Sequence, residues 1–349
     1  MNGGVDTRRS PAAGGPPLTS SRLDRSRENR AGGACGVIGG SRNRVGSVAG
    51  RARVRGAAKV AAVALLATLL FTVGAVPVHG SPAAAVRSGA EYLAARQTAD
   101  GGFAEPGRSA DPSLTAWVVL ALAAAGRDPA AIERNGKSPA DYLAGKPYPT
   151  ATDLELRILA LEALGKASEA RSLAIQLESL RRPSGAIGSG VNSTIWGILA
   201  LRSVGRPAGT KALRYLLAAQ TASGGWSWQK GVAADSNDTA AAIQAIRATG
   251  VASNARAVRR ALSYLRTLRN ADGGFELSQG RGSDAQSTAW SIQAFLVARR
   301  KPGEAAFGYL ARLRRQDGSY RYSARYATTP VWVTAQVLPA LSRRPFPLR

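Results

Sequence analysis

The chain of 349 residues is nearly empty of two side chains that carry much enzyme chemistry: it has one cysteine, Cys35, and one histidine, His79. Both precede residue 83, so the rest of the chain holds no thiol and no imidazole. A disulfide framework, a Cys/His zinc site, a Ser-His-Asp triad and a Cys-His dyad are all excluded there. Acid is also scarce, with 22 Asp and Glu against 47 Lys and Arg, a net charge of +25. That balance favours anionic partners such as membrane or wall polymers. Of the cations 40 are Arg and 7 are Lys, and with abundant Ala and Gly this bias reads first as the imprint of a GC-rich coding sequence. The cations are spread along the chain without an aromatic-interleaved basic cluster, which excludes nucleic acid as the expected partner. A hydrophobic content of 45% supplies a sizeable core and rules out a disordered or collagen-like protein.

Residues 1–59 carry 12 Lys/Arg and 3 Asp/Glu among Gly, Ser and Pro and show no apolar period, the composition of a disordered basic leader. Val60 to Val76 then runs 17 residues without a charge, preceded by Arg51, Arg53, Arg55 and Lys59 and followed by Pro77 and small residues. Basic, apolar and small-residue segments in that order form an export signal, here residues 60–82. Cleavage near Ala83 to Ala85 or after Gly80 gives a secreted product. If it is retained, the segment sits at the short edge of the spanning range, and the preceding positive charge leaves the body outside. A buried core helix is the other reading of the run. So long a leader points to a true start nearer Val54, with residues 1–53 an artefact of gene calling.

From residue 83 the chain repeats. Gly101-Gly102-Phe103, Ser184-Gly185-Ala186, Gly224-Gly225-Trp226, Gly273-Gly274-Phe275 and Asp317-Gly318-Ser319-Tyr320 punctuate it. Gly102, Gly185, Gly225, Gly274 and Gly318 are 83, 40, 49 and 44 residues apart, and the double gap is filled by a degenerate unit at Tyr142-Leu143 and Leu154 to Gly165. Six units of about forty residues therefore occupy residues 83–342, followed by a tail, 343–349. Each unit holds an amphipathic segment with a Tyr-Leu pair, a glycine loop, and an apolar segment opened by Thr115, Thr194, Thr239, Thr288 or Thr334. Both segments have helical period and no strand-like alternation has any length. The expected fold is all-α: six helical hairpins in two concentric layers, an (α/α)6 toroid, apolar helices inside.

These residues resemble the helical-toroid superfamily of squalene-type and other class II terpene cyclases, protein prenyltransferase β subunits, and complement- and cobalamin-binding toroids. The cyclase repeat signature is matched in full by Lys211-Ala212, Tyr215-Leu216, Gln220 and Gly224-Gly225-Trp226, and with Phe for Trp by Tyr92-Leu93, Gln97 and Gly101-Gly102-Phe103. Arg269 and Arg314 stand at the glutamine position of two later units. The resemblance implies that Gln97, Phe103, Gln220, Gly225, Trp226, Gly274 and Phe275 are structural staples. Prenyltransferases of this fold hold zinc through Asp, Cys and His, which this region cannot supply, so no cofactor or metal is expected. Class II cyclases protonate their substrate from an Asp-x-Asp-Asp-Thr-Ala run. The run here is Asp235-Ser236-Asn237-Asp238-Thr239-Ala240, with an amide, Asn237, at the place of the proton donor. Asp111 and Asp284 precede Thr115 and Thr288 by the same four residues as Asp235 precedes Thr239, the pattern of a helix cap. Squalene-type cyclases use two helical domains; one toroid of this length then calls for a partner to supply the second.

Trp117, Trp196 and Trp290 each follow a repeat threonine by two residues and offer an apolar or cation-stabilising wall to a ring cavity, or else ordinary packing between hairpins. Trp228, Tyr322 and Tyr326 add loop aromatics at a rim. The first expectation is a non-catalytic exported toroid binding an apolar, isoprenoid-like or amphiphilic ligand, or a partner protein, at one face through Trp117, Trp196, Trp290, Asn237 and Trp228. The alternative is a divergent cyclase acting on a prenyl or triterpenoid chain, with Asp235 and Asp238 as acid and helper.

Overall fold

In a computed structural model the structure describes residues 81–348. The basic leader, the Val60–Val76 run, Cys35 and His79 lie outside the described residues. Twelve helices are described. Six form an outer set: α1 (Pro82–Ala94), α3 (Pro139–Ala144), α5 (Ala167–Ser179), α7 (Thr210–Ala218), α9 (Arg256–Thr267) and α11 (Glu304–Leu313). Six form an inner set: α2 (Pro112–Ala124), α4 (Ala151–Ala163), α6 (Val191–Ser203), α8 (Ser236–Ala248), α10 (Ala285–Val297) and α12 (Pro330–Leu341). The only strands among the described residues are two of two residues each, β1 (Phe275–Glu276) and β2 (Ser283–Asp284), paired antiparallel inside one glycine loop.

Each inner helix packs on the next, and α12 packs on α2, so the inner layer is a closed ring. Every outer helix packs on the inner helix that precedes it in the chain. The first, α1, has no predecessor and packs on α12. Composition sorts the layers: α10 presents eleven consecutive buried residues, Ala285 to Phe295, whereas α9 buries only Val258, Ala261, Leu262 and Leu265. A helix apolar all round belongs inside, and one with a single apolar stripe belongs at the surface. No described helix is long and apolar enough to cross a membrane.

The repeat signature turns out to be the joinery of the ring. The backbone N–H of each loop aromatic donates to the repeat threonine: Phe103 to Thr115 (2.9 Å), Trp226 to Thr239 (2.8 Å), Phe275 to Thr288 (2.9 Å) and Tyr320 to Thr334 (3.0 Å). Ile187 does the same to Thr194 at 3.0 Å. A hydroxyl at the first turn thus satisfies a buried loop amide that would otherwise lack a partner. The degenerate second unit, with Leu154 at this position, has no glycine loop to satisfy. Gln97 donates to the carbonyls of Gly101 (3.1 Å) and Ile132 (3.1 Å), and Gln220 to those of Gly224 (2.7 Å) and Ala257 (2.9 Å), so each ties its own loop to the next unit. At the same position Arg314 crosses the seam to Ser88 Oγ at 2.7 Å, the same tie made with a longer side chain.

The second glycine of the loop is required by packing. A Cβ on Gly225 would lie 2.6 Å from the Tyr264 ring and 2.7 Å from Thr239 Oγ1, and one on Gly274 2.9 Å from the Tyr309 ring. Trp226 is wholly buried and donates from Nε1 to Leu216 O at 2.7 Å; Phe103 and Phe275 are buried likewise.

Candidate functional site

Because every inner helix returns through an outer one, the six inner N-termini gather on one face, the mouth of the ring. Residues two before and two after each repeat threonine lie one turn apart on the same helix face. The deeper layer reads Trp117, Leu156, Trp196, Ala241, Trp290 and Gln336 around the ring, large and small in alternation. Its three indoles meet edge to face across the axis: Trp117–Trp196 at 5.3 Å, Trp196–Trp290 at 5.6 Å and Trp117–Trp290 at 6.1 Å between centroids. Phe346 joins them at 6.0, 6.2 and 5.8 Å. It comes from the segment left over by the repeat, its ring buried and its N–H donating to Gln244 Oε1 at 2.6 Å. Trp290 Nε1 donates to Gln336 Oε1 at 2.8 Å.

The axis is therefore filled at this level. The tryptophans turn to the axis and pack on one another there, because three indoles at alternate positions span a six-helix ring. Trp196 and Trp290 are buried, and Trp117 is partly exposed.

Above this floor the outer layer of the mouth is Ser113, Thr152, Asn192, Asn237, Gln286 and Trp332. Asn192, Asn237 and Trp332 are partly open, and Trp332 packs with Trp117 against the same apolar cluster. Trp332 was not among the residues the sequence pointed to, although it precedes Thr334 by the same two residues as Asn192 precedes Thr194 and Asn237 precedes Thr239. Trp228 is half exposed at the rim, where its carbonyl takes the N–H of Asn192 at 3.0 Å.

Asp235 is the N-cap of α8, its Oδ1 accepting from Asp238 N at 2.8 Å; Asp111 and Asp284 cap α2 and α10 at 2.7 Å. The shared spacing is thus a capping pattern in all three units. The Asp235 carboxyl is buried, and burial first, then the neighbouring Asp238 charge, lifts its pKa well above the usual carboxylate range. Asp238 accepts from Asn192 Nδ2 at 2.6 Å across to α6. The two carboxyls form a pair closed in below the rim, each less than a tenth exposed, while Asn237 is partly open. Among the described residues no cluster of His, Cys, Asp or Glu could hold a metal ion.

One contact at the mouth carries the closure of the ring. The carbonyls of Trp228, Leu277 and Tyr322, each two residues past a loop aromatic, accept from Asn192, Ser236 and Ala285, the first amides of the preceding inner helix. In the first unit the equivalent residue is Glu105, and its carboxylate accepts from Val331 N (3.0 Å) and Trp332 N (2.8 Å). α12 has no side-chain cap of its own, and Thr329 before it is left-handed at φ 45. An anion at that helix start is favoured by the helix dipole as well as by the two N–H groups.

No family model matches the chain, and no curated protein matches it. Solved structures do. A protein from Actinoplanes aligns over 75% of this chain and 99% of its own at TM-score 0.56 and 19% identity. The type II terpene cyclase MstE from Scytonema aligns over 75% and 97% at TM-score 0.55 and 16% identity. A glycosidase solved as an E335A variant with glucose aligns over 75% and 96% at TM-score 0.52 and 13% identity. This chain shares their helical-toroid fold.

Proposed function

We propose that the chain is an exported, non-catalytic toroid that binds an apolar or amphiphilic ligand, or a partner protein, at the mouth formed by the inner-helix N-termini. The observation that carries this reading is the filled axis: Trp117, Trp196, Trp290 and Phe346 pack on one another there. Asn237 at the proton donor's place in the resembled cyclases supports it, because an amide does not deliver that proton. Trp332 and Trp117 offer an apolar patch, and Asn192 and Asn237 offer amide donors and acceptors at its edge. Incubation of the purified protein with squalene or geranylgeranyl diphosphate should give no cyclised product by mass spectrometry. Native mass spectrometry of protein from its own host should find a co-purified ligand that is lost in Trp332→Ala.

One observation favours a second reading, a divergent cyclase of the terpene class. Burial first, and then the neighbouring Asp238 charge, raise the pKa of the Asp235 carboxyl, the direction a general acid needs. Cyclised product that disappears in Asp235→Asn or Asp238→Asn would establish it and overturn the binding-only reading.

A further inference from the structure

On the face opposite the mouth, each inner helix ends and the chain turns toward an outer helix. Four of these ends use glycine in the left-handed conformation: Gly126 (φ 76), Gly165 (φ 73), Gly205 (φ 77) and Gly250 (φ 93). The last two use arginine, Arg299 (φ 56) and Arg343 (φ 54). A long L side chain is disfavoured in that conformation, where glycine is the ordinary solution. Arg300, Lys301 and Arg344 follow directly, and all five cations are exposed. None of the five is in an ion pair among the described residues. Arg343 lies over the Phe307 ring at 4.9 Å, joining the two ends into one patch, and Arg344 reaches Ala123 O at 3.4 Å.

Helix C-termini attract cations in general, and Arg127 and Lys166 at the equivalent rim sites fit that rule. The rule does not account for arginine in place of glycine, nor for the lopsided charge of the ring. Residues 81–239 hold 17 Lys/Arg and 14 Asp/Glu, whereas residues 240–348 hold 17 and 5. Glu304, in the first turn of α11, is exposed. Pro345, Pro347 and Leu348 stand half-buried among the cations. α1 runs against α12 with Gly89 beside Leu338, so Pro82, seven residues earlier, begins level with this rim.

We infer that this rim is a docking face for an anionic phospholipid surface, held by Arg299, Arg300, Lys301, Arg343 and Arg344. Basic side chains around half-buried apolar residues fit a layer of phosphate headgroups over acyl chains. The face is distinct from the mouth and does not depend on what the mouth binds.

The test is partition of the full-length protein onto phosphatidylcholine vesicles with and without phosphatidylglycerol. The uncharged run contributes alike to both and the basic leader is the same in every variant, so the change of the ratio between variants reads the rim. The ratio should be well above one and fall with salt. Arg299→Gly with Arg343→Gly should lower it about 30-fold, at about a factor of five per basic residue, with the thermal midpoint unchanged or raised because glycine relieves the strain. Should that pair unfold, Arg300→Ser with Lys301→Ser gives the same reading without touching the left-handed positions. An unchanged ratio overturns the inference, as does an equal loss in Arg108→Ser with Arg325→Ser, which removes two exposed cations from other loops. Loss of binding to soluble poly(glycerol phosphate) without loss on vesicles assigns the face to a wall polymer and overturns the lipid assignment.

Discussion

The Phe346 ring stacks on Trp290 at 5.8 Å and 27° between planes, so a residue three from the C-terminus of the sequence is part of the central core. Its burial among three indoles makes it a large hydrophobic contribution rather than an ornament of the tail. Phe346→Ala should cost about 3–5 kcal/mol, read by denaturant unfolding, and Phe346→Leu less. A tail that merely rests on the ring would give a change below about 0.5 kcal/mol.

Glu105 closes the ring at the mouth by accepting from two amides of α12. Glu105→Ala leaves both amides without that acceptor and should destabilise by about 1–3 kcal/mol. Glu105→Gln keeps one acceptor oxygen and should lose less. Hydrogen exchange at Val331 and Trp332 should speed up in both, with the larger effect in the alanine variant.

The six units, the two layers and the role of the glycine loops were legible because each rests on a period that recurs. Gly225 against Tyr264 recurs as Gly274 against Tyr309, and the threonine beneath the loop amide recurs five times. Departures from the period were not legible. Phe346 lies in a Pro-Phe-Pro segment after the last repeat, with no partner in register. Glu105 does by side chain what three other units do by backbone carbonyl, and no side-chain pattern records a carbonyl. The orientation of Trp117, Trp196 and Trp290 followed from register; that they would meet depended on ring diameter, which register does not contain.

Glu155 breaks the inner-layer pattern most plainly. It is fully buried on α4 where other units have Ala or Ile, and neither carboxyl oxygen has a hydrogen-bond partner. Burial, with a smaller contribution from Asp153, drives its pKa well above the ordinary value of 4.5. A pKa raised in the folded state gives stability that is full below the unfolded value and is lost as pH rises toward the folded one. Glu155→Gln should therefore match the wild type near pH 4 and exceed it increasingly above pH 5, measured by denaturant midpoints across pH. Asp235 has the same sign, so the slope should shrink without vanishing. A gain in Glu155→Gln that is independent of pH would sink the assignment.

Two glycine substitutions separate packing from backbone conformation. A Cβ on Gly126 meets nothing within 4 Å, so Gly126→Ala should cost about 1 kcal/mol for its φ of 76 alone. Gly225 has no positive φ, but its Cβ would press on the Tyr264 ring and the Thr239 hydroxyl, and both are fixed: Tyr264 Oη donates to Ala234 O at 2.5 Å, and Thr239 accepts from Trp226. Gly225→Ala should cost about 1–3 kcal/mol and weaken the joint between the fourth and fifth units. Adding Tyr264→Ala removes the ring that a Cβ would strike, so the second substitution should cost less in Gly225→Ala than in the wild type. Purely additive unfolding energies would mean that the two residues do not oppose one another.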